Sequence, residues 1–151
     1  MRPSLIAAAL LVAAVTSAQS PAPPPLTSPA SALGAPWAYL ASSFVALAGA
    51  MPAEKYGFVP TAGEFTGVRS FGEQVKHVAC ANFGFFNQIE GKTPPADCAH
   101  GGPSPATTKD ELLQYLRDSF AYGSQVEASL SEKGLLEVAE GPYGGRRTKL
   151  G

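Results

Sequence analysis

Apolar positions recur at helical spacing in three stretches of the chain. The most regular lies between Arg69 and Glu90, where Phe71, Val75, Val78, Asn82, Phe85 and Ile89 follow one another at spacings of four and three. That is one apolar stripe with a single polar interruption, as in the seam of a helical bundle. Phe86, Ala79 and Phe83 widen the stripe on one side. Gln74, Ala81 and Gln88 lie on the other, with His77 and Gly84 further round, and Glu73, Lys76, Cys80, Asn87 and Glu90 form the polar face. Ser70 followed by Glu73 is a capping box that opens this helix. Gly91 and the prolines at 94 and 95 close it.

An earlier helix is predicted from Pro36, which suits a first turn. Trp37, Leu40, Ala41, Phe44, Val45, Ala48 and Met51 carry it on, and Pro52 ends it. It has almost no charge on any face, so neighbours are expected to cover much of it. A third helix opens at Thr108 with Glu111, a second capping box, and runs to a C-cap at Gly134. Leu112, Leu116, Phe120, Val126 and Leu130 line one face, with Leu113 and Tyr115 flanking. Gly123 should weaken it by about 1 kcal/mol relative to alanine. Residues 135–150 read as loop.

These patterns make the fold class all-α, a helical bundle. In the connection over 53–68, Tyr56 and Phe58 are expected to plug the end of the bundle. The connection over 93–106 holds prolines 94, 95, 103 and 105 and glycines 101 and 102. Its length suits a crossover between helices that are not antiparallel neighbours. Three long helices with wide apolar faces leave a fourth helix unaccounted for.

The first eighteen residues do not join the bundle. Arg2, the apolar run from Leu5 to Val15 and the small residues Thr16, Ser17 and Ala18 form a secretory signal peptide. The run is too short to span a membrane comfortably. The expected location is therefore periplasmic or secreted, with no membrane attachment after cleavage. Residues 19–35, with prolines at 21, 23, 24, 25 and 29, read as a Pro/Ala-rich linker, and residues 36–151 as the bundle domain. A formal charge of −1 over 151 residues leaves no basic footprint for nucleic acid.

Chemistry rests on few residues. There is no glycine-rich phosphate loop, no nucleophile elbow and no CxxC pair. His77 sits at the edge of the apolar stripe beside small residues, a position that suits a metal ligand held by packing yet reachable. The other reading is a half-exposed helix histidine with no task. His100, beside Gly101 in the crossover, reads as an exposed loop histidine, with a second metal ligand as the rival. Cys80 and Cys98 in an exported chain favour a disulfide. The helix rises about 15 Å from Cys80 to Glu90, and the extended chain beyond can retrace that span. The alternative makes Cys80 a soft ligand or nucleophile beside His77, against which stands its place on the polar face.

The segments MPAEKYGFVPT, VRSFGEQVKHVACANFGFFNQIEG and TKDELLQYLRDSF together resemble the DinB-like family, over about residues 36 to 150. In that family an MPEEKY-type loop follows the first helix. An RSFGE-type capping box then opens a helix with a histidine four residues past the glutamate, as His77 follows Glu73. The resemblance implies a four-helix bundle with a long crossover between the second and third helices. It also implies a divalent metal (Zn, Ni or Fe) held by three histidines, one from the second helix and two from an HxxEHYGQ-like motif on the fourth. His77 matches the first. The other two have no counterpart before Gly151, where the fourth helix would begin, so three of four helices are expected here. The function implied for the complete form is a metal-dependent hydrolase or thiol transferase acting on a small molecule. The alternative is a non-catalytic exported bundle that binds an apolar ligand or a partner helix, or that forms a homodimer through its bare faces.

Overall fold

The computed structural model describes residues 28–61, 67–141 and 145–149. The expected signal peptide, 1–18, and residues 19–27 of the expected linker lie outside them. Three long helices carry the fold: α1 Pro29–Ala50, α2 Phe71–Ile89 and α3 Lys109–Ser129. A short helix α4, Glu132–Leu135, and two strands, β1 Val138–Glu140 and β2 Arg146–Thr148, follow.

α3 is the common partner. It runs parallel to α2, since Gly72 lies near Leu112, Asn82 bonds Ser119 and Phe86 flanks Gly123. It runs antiparallel to α1: Lys109 Nζ donates to the Gly49 and Met51 carbonyls, both at 2.8 Å, and Trp37 Nε1 donates to the Phe120 carbonyl at 3.1 Å. A parallel pair needs its connection to run back the full length of the helix, which is the task of the crossover between α2 and α3. Val75, Ala79, Leu112, Leu113, Leu116 and Phe120 make the core between them.

The buried stripe of α2 is Gly72, Val75, Ala79, Asn82 and Phe86, with Phe85 40% exposed. It is turned from the stripe expected at Val78 and Phe85 by roughly 60°, at about 100° per residue. The α2 surface has apolar residues enough for two neighbours, and α3 occupies only one side. The polar interruption is satisfied: Asn82 Nδ2 donates to Ser119 Oγ at 3.1 Å, and that hydroxyl donates to the Leu116 carbonyl at 2.8 Å.

α1 begins at Pro29, seven residues before Pro36, so residues 29–35 are helix and not linker. Ser28 and Ser31 form a reciprocal cap, and Pro29 takes the first position, where a missing donor costs nothing. Pro36 then sits inside the helix and removes one internal hydrogen bond. The expected covering of α1 is not found. Tyr39 is 72% exposed and Leu47 67%, because among the described residues α3 packs on one side only. Ser31–Ala50 has a mean hydropathy of 1.3 and is long and apolar enough to cross a membrane by length and composition alone, a property that signal sequences share.

Tyr56 is buried at the end of the bundle and donates from its hydroxyl to the Ala48 carbonyl at 2.7 Å. Phe58, expected beside it, is 55% exposed. α3 stops at Ser129, not at Lys133, because Leu130 turns extended and Ser131 caps α4 by accepting from the Gly134 amide at 3.0 Å. Gly134 therefore lies within α4 instead of ending α3. The expected loop after Leu135 contains an antiparallel ribbon, with Val138 opposite Thr148 and Glu140 opposite Arg146. Strands of three residues carry too little alternation to be read from sequence.

The cap of α3 has a measurable pH signature. Glu111 accepts from the Thr108 and Thr107 amides, both at 3.0 Å, and these bonds hold its carboxyl down from 4.5 to about 2. A depressed folded pKa means stability that is present above 4.5 and fades as pH falls towards 2. Glu111→Gln should lower the thermal midpoint at pH 7, and its gap from the parent should nearly close by pH 2. A gap independent of pH would show that the carboxylate charge does not matter to the cap.

Candidate functional site

His77 stands nearly two turns into α2, on a helix whose start is fixed by its cap. The Ser70 amide donates to Glu73 Oε2 at 2.7 Å, and the Glu73 amide donates to Ser70 Oγ at 3.3 Å. The Ser70 amide is the main cause that holds the Glu73 carboxyl below its ordinary range. That carboxylate is thus occupied at the cap rather than beside the imidazole.

The imidazole is half-buried, and its Nδ1 lies 2.6 Å from the Cys98 carbonyl oxygen. A carbonyl only accepts, so the bond requires the ring proton on Nδ1. The neutral ring then presents its lone pair at Nε2, the arrangement of a metal-ligating histidine oriented through its other nitrogen.

The carbonyl is there because the crossover folds back over the outer face of α2. Cys80 and Cys98 are joined as a disulfide with Cα atoms 5.3 Å apart. Arg69 Nε donates to the Ala99 carbonyl at 2.8 Å, and the Gly102 amide donates to the Asp97 carbonyl at 2.9 Å. The turn needs glycine at both 101 and 102, where φ is +92° and +73°. A Cβ would press on the Lys76 stem at the first and overlap Cys80 Sγ at the second.

This packing corrects the placing of Cys80 on a solvent face: the residue is fully buried. A sulfur held in a disulfide is also neither a thiolate ligand nor a nucleophile, which removes the alternative role beside His77.

His100 is exposed, with its Nδ1 at 2.6 Å from Asp97 Oδ1. Among the described residues no three His, Cys, Asp or Glu side chains are grouped to hold a metal. A catalytic divalent metal takes three protein ligands and an open position. The described residues do not group His77 with two further ligands and so do not by themselves fit such a centre.

A second feature lies on the free side of α2. Phe44, Leu47 and Ala48 of α1 face Phe71, Val75 and Val78 of α2 across a cavity of about 130 Å³. Phe71 and Gln74 also line a cavity of about 570 Å³ at its end, beside Met51, Phe58, Val68 and Arg69. Nothing in the sequence pattern marked Arg69 or Gln74, since one precedes the cap and the other flanks the stripe.

Two further polar groups are accounted for or isolated. The Tyr122 hydroxyl donates to the Glu90 carboxylate, on which Lys92 also closes, and lies 2.6 Å from Asn87 Oδ1. Burial pushes the Glu127 carboxyl up, and its Oε2 is buried without a hydrogen-bond partner among the described residues.

The family model of the DinB superfamily matches residues 39–151. No curated protein and no solved structure matches the chain.

Proposed function

From the premise that the chain belongs to the DinB superfamily, we propose that His77 is one ligand of a divalent-metal site (Zn, Ni or Fe) in an exported hydrolase or thiol transferase acting on a small molecule. The observation that carries this reading is the bond from His77 Nδ1–H to the Cys98 carbonyl, which orients the ring and leaves Nε2 free to coordinate. The chain contains two histidines in all, so further imidazole ligands would come from outside residues 1–151. Export is supported by the apolar run near the N-terminus and by a cysteine pair that suits an oxidising compartment.

The test is a zinc titration followed through the imidazole ¹⁵N resonances. His77 should respond at lower zinc than His100, and His77→Ala should remove that first response while His100→Ala leaves it. Equal responses from the two rings would sink the assignment.

A second reading is favoured by the apolar face between α1 and α2. A non-catalytic bundle would use that face for an apolar ligand, a partner helix or a second copy of the chain.

A further inference from the structure

Glu127 Oε2 is buried and has no hydrogen-bond partner among the described residues. An orphaned acceptor of this kind is rare in a folded chain and calls for a physical account. What lies against it is the N-terminal part of α1. A Cβ at Gly34 would stand 3.8 Å from the oxygen, so bare helix backbone approaches the carboxylate there.

No cation is placed to compensate its charge. Between Gly123 and Ser131, Glu127 is the one ionisable residue. α1 carries no charge from Pro29 to Ala50, and its one titratable side chain, Tyr39, is exposed. α4, which also touches α1, offers Glu132 and Lys133, both exposed. On α2, Glu90 is held by Tyr122 and Lys92, while Glu73, Lys76 and His77 lie towards the other end of the parallel pair. The neutral acid can stay under α1, whereas the carboxylate needs water. Burial accordingly pushes the Glu127 carboxyl up.

The part of α1 above this acid is jointed. Pro36 has no amide, so the Ala32 carbonyl lacks its partner within the helix. Residues 29–35 are thus held to the rest of α1 by fewer bonds, and an internal proline is a usual seat of helix bending. Just past the joint, Trp37 is tied to α3 through its indole bond to the Phe120 carbonyl. A joint with one side anchored therefore lies beside a buried acid.

We propose that residues 29–35 form a proton-operated flap, closed on α3 while Glu127 is neutral and lifting about Pro36 when Glu127 ionises. A carboxyl raised above its ordinary 4.5 gives closure a stability that is complete below 4.5 and lost as pH rises through the raised value. Glu111 titrates lower, at about 2, so the cap of α3 stays intact over the range in which the flap moves. The flap lies on the α1–α3 side of the bundle, and it depends neither on a metal at His77 nor on the face between α1 and α2.

The experiment is an NMR titration of the labelled full chain from below pH 4.5 to neutrality. The side-chain carboxyl ¹³C resonance of Glu127 should titrate with a midpoint above 4.5. The backbone heteronuclear NOEs of residues 32–35 should fall through that same midpoint, while those of residues 38–50 stay high. Glu127→Gln, neutral at every pH, should hold the closed values throughout. Pro36→Ala, which restores the missing amide, should keep residues 32–35 ordered at neutral pH. A Glu127 midpoint at or below 4.5 overturns the flap. So do residues 32–35 that are equally ordered on both sides of the midpoint, or a loosening that persists in Glu127→Gln. A Pro36→Ala variant that loosens as the parent does overturns the joint at Pro36.

Discussion

Gly123→Ala is expected to destabilise the bundle by about 1–3 kcal/mol, the usual cost of forcing an extra methyl into a packed core. In an exposed helix the same exchange would stabilise by about 1 kcal/mol. The sign reverses because a Cβ at position 123 would stand 2.5 Å from Phe86 Cε2 and 2.5 Å from Trp37 Cζ2. Neither ring can simply step aside. Trp37 meets Phe86 edge-on at a centroid distance of 4.9 Å and lies 4.9 Å from Phe120 on its other side. Its indole nitrogen is also tied to the Phe120 carbonyl. This one point joins all three long helices, so a shift there opens α1 and α2 from α3 together. Gly49→Ala in α1 serves as the control, since a Cβ there meets nothing within 4 Å, and it should stabilise by about 1 kcal/mol through backbone preference alone. Urea unfolding followed by Trp37 fluorescence reads both. A Gly123→Ala variant as stable as its parent would show that the rings have slack the packing does not suggest.

Gly123 also shows where sequence reading stops. Helix propensity marks it as a weakness, and only the approach of two rings from different helices reveals it as a packing site. The elements that were legible are those written in local chemistry. Ser70 with Glu73 and Thr108 with Glu111 placed the starts of α2 and α3 because a capping box is satisfied within four residues. The second serine cap, Ser28 with Ser31, uses a serine in place of the acid and went unread, so α1 appeared to begin at its internal proline.

Faces were less legible than helices. On α2 the apolar residues span two sides, and nothing local says that α3 takes the side of Ala79 and Phe86 while that of Val78 and Phe85 stays open. The same limit misplaced Cys80. Lys76, Cys80 and Glu73 read as a polar face, yet the crossover lies across it, with Gly101 over Lys76 and Gly102 over the sulfur. His77 was legible as a boundary residue, but its partner was not. A backbone carbonyl 21 residues away has no sequence signature.

Replacing Cys80 and Cys98 together by alanine, or reducing the parent chain, should lower stability by about 3 kcal/mol in the chain-entropy account of a bridge that closes a short loop. The sequence separation here is 18. Urea unfolding with and without a dithiol reductant measures the loss, and thiol titration counts the two sulfhydryls that reduction should release. A parent indifferent to reductant and equal to the double variant would remove the bridge from the account. The local consequence reaches further than the stability. The bridge anchors the residue whose carbonyl accepts from His77 Nδ1, and the bond from Arg69, just before the α2 cap, to the Ala99 carbonyl is a further tie to this turn. With the bridge gone, one arginine must hold the loop from its exposed side, and the carbonyl should no longer stay within 2.6 Å of the ring. The imidazole ¹⁵N resonances of His77 should then shift from the Nδ1–H form towards a tautomer mixture, while those of His100 stay unchanged. A fixed Nδ1–H tautomer in the double variant would mean that Arg69 and the tight turn position the imidazole, and that the bridge contributes only to folding stability.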